Sequence, residues 1–260
     1  MNGKAAKGTI RVTVMLGNNL TDRETLAVLE LLQPGSPAEV QGLYIEDTEL
    51  LSLADVPVVR EYCRLTQAGR RVEVEDLERQ FRTQARMAER ALAETLNPRG
   101  YPWSFRSLRG DPVVLLRQML AEVDLMLIGA TAGMSPAAGR RRSAASRRPV
   151  LAVFDPAEPA ERALRVAMQL ADAGGTDLVI MLAAAQHEDM PALRQRAAAL
   201  AGDRPVEFRE IIRENTAGLL EQLRKFPAVQ LVLGIPASEI GSETITLLRS
   251  HSTCPVILVK

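Results

Sequence analysis

Aromatic side chains are scarce in this chain, with one Trp, three Tyr and five Phe in 260 residues. A surface that stacks nucleic-acid bases interleaves aromatics with basic residues. The nearest candidate, Trp103 with Phe105, reads instead as two residues on one side of a strand, and therefore as core. Histidine is scarcer still. His187 and His251 are the only two, too few for a His-rich metal site, and Glu188 and Asp189 beside His187 do not converge with it on one point, so no Ser-His-Asp arrangement is expected either. The two cysteines, Cys63 and Cys254, form no Cys-x-x-Cys, so no zinc or redox motif is legible and both read as free thiols. No run approaches the roughly 18 apolar residues of a membrane-spanning helix. The opening MNGKAAKGTIRV lacks the apolar core of a secretory signal. Acids and bases balance at 32 each, so no global field draws the chain toward nucleic acid or an anionic membrane. These absences leave a cytoplasmic globular protein, with no metal, no nucleic-acid partner and no membrane insertion, as the expectation.

What the chain does have is an internal repeat. Phe105-Arg106 is answered by Phe208-Arg209, and Leu115-Leu116-x-Gln118 by Leu219-Leu220-x-Gln222. Leu125 and Leu127-Ile128-Gly129 are answered by Leu231 and Leu233-Gly234. A period of a little over 100 residues is too long for a solenoid unit and indicates a duplicated domain. The length suits two domains, divided as 1–130, a linker over 131–148, and 149–260. Gly, Ala, Ser, Pro and Arg dominate residues 130–148, with no apolar periodicity.

Each copy alternates short apolar runs with amphipathic stretches, the pattern of parallel α/β units. In the first copy, strands are expected at Thr9–Leu16, Glu39–Ile45, Tyr101–Leu108 and Leu125–Gly129. Thr21 and Glu24 form a capping box for a helix through Leu32. Residues 46–73 read as irregular, with Leu50, Leu51, Leu53 and Val56 suggesting a short packed segment. Leu77, Phe81, Ala85, Ala88, Leu92 and Leu96 mark the buried stripe of a long helix. Asp111 and Pro112 open another, running to Glu122. In the second copy, strands are expected at Val150–Phe154, Leu178–Leu182, Val206–Ile212, Val229–Gly234 and Pro255–Val259. Helices are expected at Pro159–Ala173, Pro191–Ala201, Thr216–Lys225 and Ser242–Arg249.

In combination these pieces resemble the universal stress protein family in a tandem, two-domain form. The residues that carry the resemblance are a first strand ending in an acid, Val150 to Asp155, and a fourth ending in Leu231-Val-Leu-Gly234. Gly241-Ser242 opens a helix that leads into Cys254-Pro-Val-Ile-Leu-Val259, and the first copy adds Gly42-Leu-Tyr-Ile-Glu-Asp47. The resemblance implies two tandem universal-stress-type domains of α/β class. Each would be Rossmann-like, related to the adenine nucleotide alpha hydrolases, with a parallel sheet flanked by helices.

Members of the family that hold ATP do so with G-x2-G-x9-G-[ST] after the fourth strand. Glycines let backbone approach phosphate, and a helix N-terminus completes the cradle. The acid after the first strand sits near the nucleoside. The resemblance therefore points to Asp155, Gly234, Gly241 and Ser242 in the second copy and to Gly129 and Ser143 in the first. Both sets are degraded. Ala237 replaces the second glycine of the second copy, and only three residues separate it from Gly241. In the first copy Ala132 and Arg142 stand where glycines belong, and Gly17 stands where the acid belongs, with Arg140, Arg141 and Arg142 nearby as substitute charge. Too few residues follow Ser143 for a fifth strand before Val150.

Two functions compete. One is a non-catalytic, stress-responsive regulatory protein, an intramolecular pseudo-dimer acting through a protein partner the sequence does not name. The other is an ATP-binding sensor or slow ATPase using the surviving residues, with ATP as its one possible cofactor. No general base is placed beside a phosphate loop. An adenylyl-transferring enzyme is disfavoured because the first turns, GNNLTD and DPAEPAE, carry no His or Lys, and no G-x-G-x-x-G supports a dinucleotide site. A strand edge left open by the missing fifth strand would favour a homodimer through that edge or through the last strand.

Overall fold

The computed structural model describes residues 10–17, 19–31, 38–56, 60–62, 69–71, 73–129, 148–236, 241–251 and 254–260. In chain order the first half contains β1 (Ile10–Leu16), α1 (Asn19–Leu31), β2 (Ala38–Asp47), α2 (Thr48–Ala54), β3 (Arg60–Tyr62), β4 (Gly69–Arg71), α3 (Val74–Leu96), β5 (Trp103–Gly110), α4 (Pro112–Glu122) and β6 (Leu125–Ile128). The second half contains β7 (Val150–Phe154), α5 (Pro159–Gly174), β8 (Leu178–Ala184), α6 (Met190–Ala201), β9 (Glu207–Ile212), α7 (Thr216–Leu223), β10 (Gln230–Gly234), α8 (Ser242–His251) and β11 (Val256–Val259).

Nine of the strands form one sheet in the order β5-β2-β1-β6-β11-β10-β7-β8-β9, and β3 pairs with β4 apart from it. Every neighbour pair in the large sheet is parallel except one, β6 with β11, which runs antiparallel from Val256 opposite Ile128 to Val259 opposite Leu125. The expected parallel α/β architecture is present, and the two expected sheets are one.

The sequence explains which strands lie inside. LMLI in β6, VLAVF in β7, LVIMLAA in β8 and VILV in β11 are buried at every position, as strands covered on both faces must be. The outermost strands, β5 and β9, mix half-buried with exposed positions, only Ile211 being buried, and carry arginines and glutamates, which blunts the open edges. One apolar core lies under α1, α3, α5 and α6, and a second lies on the opposite face under α4, α7 and α8. Helices cross the β6–β11 seam on both faces: α1 packs on α5, and α4 packs on α8.

The repeated motifs fall on equivalent elements. Phe105-Arg106 and Phe208-Arg209 lie in β5 and β9, the Leu-Leu-x-Gln motifs in α4 and α7, and the Leu-rich runs in β6 and β10. Asp111 caps α4 as expected, its Oδ1 accepting from the Val113 and Val114 N–H groups. The stripe on α3 is buried at Phe81, Ala85, Ala88, Leu92 and Leu96. Gly100 ends the turn that follows α3 with φ of 67°, a conformation that favours glycine.

Three expectations are corrected. α1 starts at Asn19, so Thr21 lies inside the first turn rather than at the cap. Residues 46–73 are not irregular throughout, since α2 and the β3–β4 pair lie there. On α2 Ala54 is buried and Leu51 packs against the core, whereas Leu50, Leu53 and, just past the helix, Val56 are exposed, because one face of a two-turn helix is all that can reach α3. Finally, neither edge proposed for a homodimer is open. β11, the last strand, fills the edge of β6 within the same chain, satisfying both ladders at once.

Candidate functional site

In open α/β sheets, ligands sit beyond the carboxyl ends of the strands where the strand order reverses. That point lies between β1 and β6 in the first half and between β7 and β10 in the second. Because β6 and β11 are antiparallel, the two points face opposite ends of the molecule. The candidate residues therefore form two separate groups.

In the second half, β7 delivers Asp155 to this point on the fully buried Phe154, and Asp155 itself is 3% exposed. Its Oδ1 accepts from the Ala157 N–H at 3.0 Å, turning the chain toward α5. Its Oδ2 lies 3.2 Å from Nη1 of Arg213. Arg213 follows β9 and extends the ladder by one residue, its N–H donating to the Ala184 carbonyl at 2.9 Å. No local signal marks this arginine, which only the order β7-β8-β9 brings to Asp155.

Gly234 closes β10 where the first turn of α5 lies. A Cβ there would stand 2.6 Å from the Pro159 carbonyl carbon and 2.7 Å from the Ala160 nitrogen. The glycine is thus needed for strand-to-helix contact, and protein backbone already covers it. Gly241 accepts from the Ile245 N–H at 3.2 Å, so Gly241 holds the cap position of α8. Ser242 is the first helical residue rather than the cap. Both are exposed. α8 leads into β11, parallel to β10, which places Ser242 at the same end of the sheet as Gly234. Ala237 lies outside the described residues.

In the first half, Gly129 follows β6 and is half-buried. Gly17 follows β1, and a Cβ on it would lie 3.8 Å from the Tyr44 ring. That ring is buried edge-on to Phe81, with its hydroxyl donating to Gln84 Oε1 at 2.7 Å. The place of the family acid thus borders an aromatic from β2. Ser143, Ala132, Arg140, Arg141 and Arg142 lie outside the described residues, as does Cys63.

One charged group at this end went unnoticed in the sequence. Arg109 pairs with Glu46 at 3.0 Å and Glu78 at 2.9 Å, and Ser107 donates to Glu46. Hydrogen bonds to the two glutamates hold the guanidinium above its ordinary pKa. The group ties α3 to the ends of β2 and β5. Among the described residues no three His, Cys, Asp or Glu side chains group to hold a metal, and no described helix is long and apolar enough to cross a membrane.

A small apolar cavity of about 30 Å³ lies away from all of these residues, lined by Leu151, Leu223, Phe226, Leu248, Cys254 and Val256 among others. Burial pushes the Cys254 thiol up to about 12, with Glu24 adding to the rise and Arg148 opposing it. An unfolded thiol ionises near pH 8.5. Below that pH both states hold the proton. Above it the unfolded chain releases the proton while the folded chain keeps it, so stability falls as pH rises from about 8.5 toward 12. In a Cys63→Ser background, the stability difference between the protein and its Cys254→Ala variant is expected to shrink by about 2 kcal/mol between pH 7 and pH 10. Urea denaturation at the two pH values measures it, and a pH-independent difference would contradict the burial of this thiol.

No family pattern matches the sequence, and no curated protein matches it. Solved structures do. A universal stress protein from Archaeoglobus fulgidus DSM 4304 superimposes with a TM-score of 0.52 at 14% identity, over 95% of this chain and 98% of that one. The cytoplasmic domain of a prokaryotic cation chloride cotransporter gives 0.47 at 14% identity, over 96% and 95%. A protein of unknown function from Pseudomonas aeruginosa PAO1 gives 0.47 at 13% identity, over 98% and 93%. The class is therefore an α/β protein with one mostly parallel sheet flanked by helices. Within that class, the chain shares its fold with a universal stress protein along nearly its whole length.

Proposed function

We propose that this chain is a tandem universal stress protein, a non-catalytic and cytoplasmic regulatory protein of the stress response. Its two halves form a pseudo-dimer within one polypeptide and act through a protein partner. The whole-length likeness to a universal stress protein supports the family. The shared strand ladder between β6 and β11 supports the pseudo-dimer, since it joins the halves through backbone hydrogen bonds.

The observation that carries the non-catalytic reading is the state of the second-half crevice. Asp155 is engaged by Arg213, and Gly234 lies under the Pro159–Ala160 backbone. An adenine nucleotide implied by the fold does not fit these residues as they stand: the acid is taken and the glycine surface is covered. The test is a calorimetric and thermal-shift titration with ATP and Mg²⁺. Neither heat nor a shift in melting temperature is expected at millimolar ATP. Binding in the micromolar range would replace this reading with the alternative, an ATP sensor or slow ATPase.

A further inference from the structure

We propose that α2 carries a docking surface for a basic amphipathic helix of a partner protein. The inference rests on the reading that the chain acts through such a partner, and it names the place and the chemistry. The sheet order β5-β2-β1 in one half mirrors β9-β8-β7 in the other, so β2 answers β8 and α3 answers α6. In the second half only residues 185–189 separate β8 from α6, whereas residues 48–73, α2 among them, separate β2 from α3. The second half thus builds the same unit without a counterpart of α2, and the fold does not require this helix. The helix is nonetheless fixed in place. Asp47 caps it, its Oδ1 accepting from the Glu49 N–H at 2.9 Å, and Leu51 and Ala54 hold it against the core beside α3.

The exposed face of this helix is apolar and acidic at once. Leu50, Leu53 and Val56 follow one another at i, i+3 spacing, which keeps them on one side, and they are 46%, 50% and 41% exposed. Glu49 stands four residues before Leu53 and shares that side, and Asp55 is exposed next to Val56. Residues 46–56 hold the acids Glu46, Asp47, Glu49 and Asp55 and no basic residue. Arg109 reaches this end of the sheet, but it is held between Glu46 and Glu78, so that group keeps a net negative charge. Apolar side chains gathered in an exposed stripe and rimmed by polar groups mark an interaction site. A partner helix lays anchors at i, i+3 and i+4 onto such a surface, and Lys or Arg beside those anchors meets Glu49 and Asp55. The same carboxylates repel an anionic membrane. A second copy docking stripe to stripe would bring like charges together.

The probe is a synthetic helical peptide with Leu at i, i+3, i+4 and i+7 and Lys elsewhere, titrated by calorimetry into the whole protein. Leu50→Ser with Leu53→Ser removes the anchors, and Glu49→Gln with Asp55→Asn removes the charge. All four side chains are exposed, and circular dichroism checks that both variants keep the fold. If the serine variant loses it, Leu53→Ala is read in its place and is expected to weaken binding about threefold. The parent is expected to bind the peptide at micromolar concentration and the serine variant at least about tenfold more weakly. The amide variant is expected to bind about threefold more weakly, with a smaller salt dependence. Equal binding by the parent and the serine variant, or none by the parent at millimolar peptide, would overturn the docking surface and leave the non-catalytic reading standing. Micromolar ATP binding by a parent that still outbinds the serine variant would remove that reading and keep the surface. Sedimentation of the parent alone tests the other occupant: a dimer abolished in the serine variant would assign the stripe to a second copy and overturn the proposal.

Discussion

Replacing Ile257 with aspartate is expected to destabilise both halves of the molecule together, so that they still unfold in a single transition at a lower urea concentration. Ile257 sits in the middle of β11 with 1% of its surface exposed. Val232 of β10 stands beside it on one side and Leu127 of β6 on the other. An aspartate there loses the transfer free energy of a buried isoleucine, and its carboxylate has no cation among those neighbours. Unpaired buried charge and lost core together cost about 4–5 kcal/mol, against a total stability of about 5–15 kcal/mol for a typical domain. The loss is shared because β11 is bonded on both sides and because the α1–α5 and α4–α8 contacts cross the same seam. Urea denaturation followed by circular dichroism, with hydrogen exchange read separately in β1–β2 and β8–β9, measures it. Ile257→Val, which keeps the apolar contact, should cost only about 1 kcal/mol. Loss of protection confined to 149–260 would show that the halves are independent and that the seam does not unite them.

That seam marks where sequence reasoning stops. The strands and helices themselves were legible because their signals are local. β7, β8 and β11 are unbroken apolar runs, α3 carries a 3.6-residue stripe, and Asp111-Pro112 announces α4. The repeat located equivalent elements in the two halves before any pairing was known. Pairing between β6 and β11 is not local. Nothing in LMLI or VILV says which neighbour each takes, or in which direction, since both strands are apolar on both faces. Tertiary packing decides it, and it turned an edge expected to recruit a second chain into an internal joint.

The candidate site divides in the same way. Asp155, Gly234 and Ser242 were named by the family resemblance, whose motifs are written in adjacent residues at strand ends and a helix start. Arg213 could not be named that way, because it lies 58 positions from Asp155 and meets it only across β8. The exposed face of α2 was misread for a related reason. Four apolar residues in seven suggest a short packed segment, but the helix of two turns that forms there presents one narrow face to α3, and Leu50, Leu53 and, just past the helix, Val56 are left outside.

Gly234→Ala is expected to be the most damaging single-methyl change in the candidate site, and Gly241→Ala the contrasting control. At Gly234 the added carbon would stand 2.6–2.7 Å from the Pro159 carbonyl group and the Ala160 nitrogen. The obstacle is backbone at the first turn of α5, not the end of a flexible side chain, so the helix must shift off the sheet. Beneath that turn lie Ala160, Ala163, Leu164 and Ala167, all at 0% exposure, and small residues packed this closely leave no slack. Overpacking of this kind costs about 1–3 kcal/mol and occasionally more, and the involvement of backbone places Gly234→Ala at the upper end. At Gly241 nothing lies within 4 Å of the added carbon, and the change trades one weak helix cap for a weaker one, at a cost under about 1 kcal/mol. Urea midpoints of the two variants decide between two accounts of these glycines. If both serve chiefly to admit phosphate, neither should alter stability by much, and both should matter only to a ligand. A midpoint for Gly234→Ala close to that of Gly241→Ala would therefore remove the packing role assigned to Gly234. A large, ligand-independent loss at Gly234 alone would mean that this glycine is held in place by α5, whatever becomes of the crevice above it.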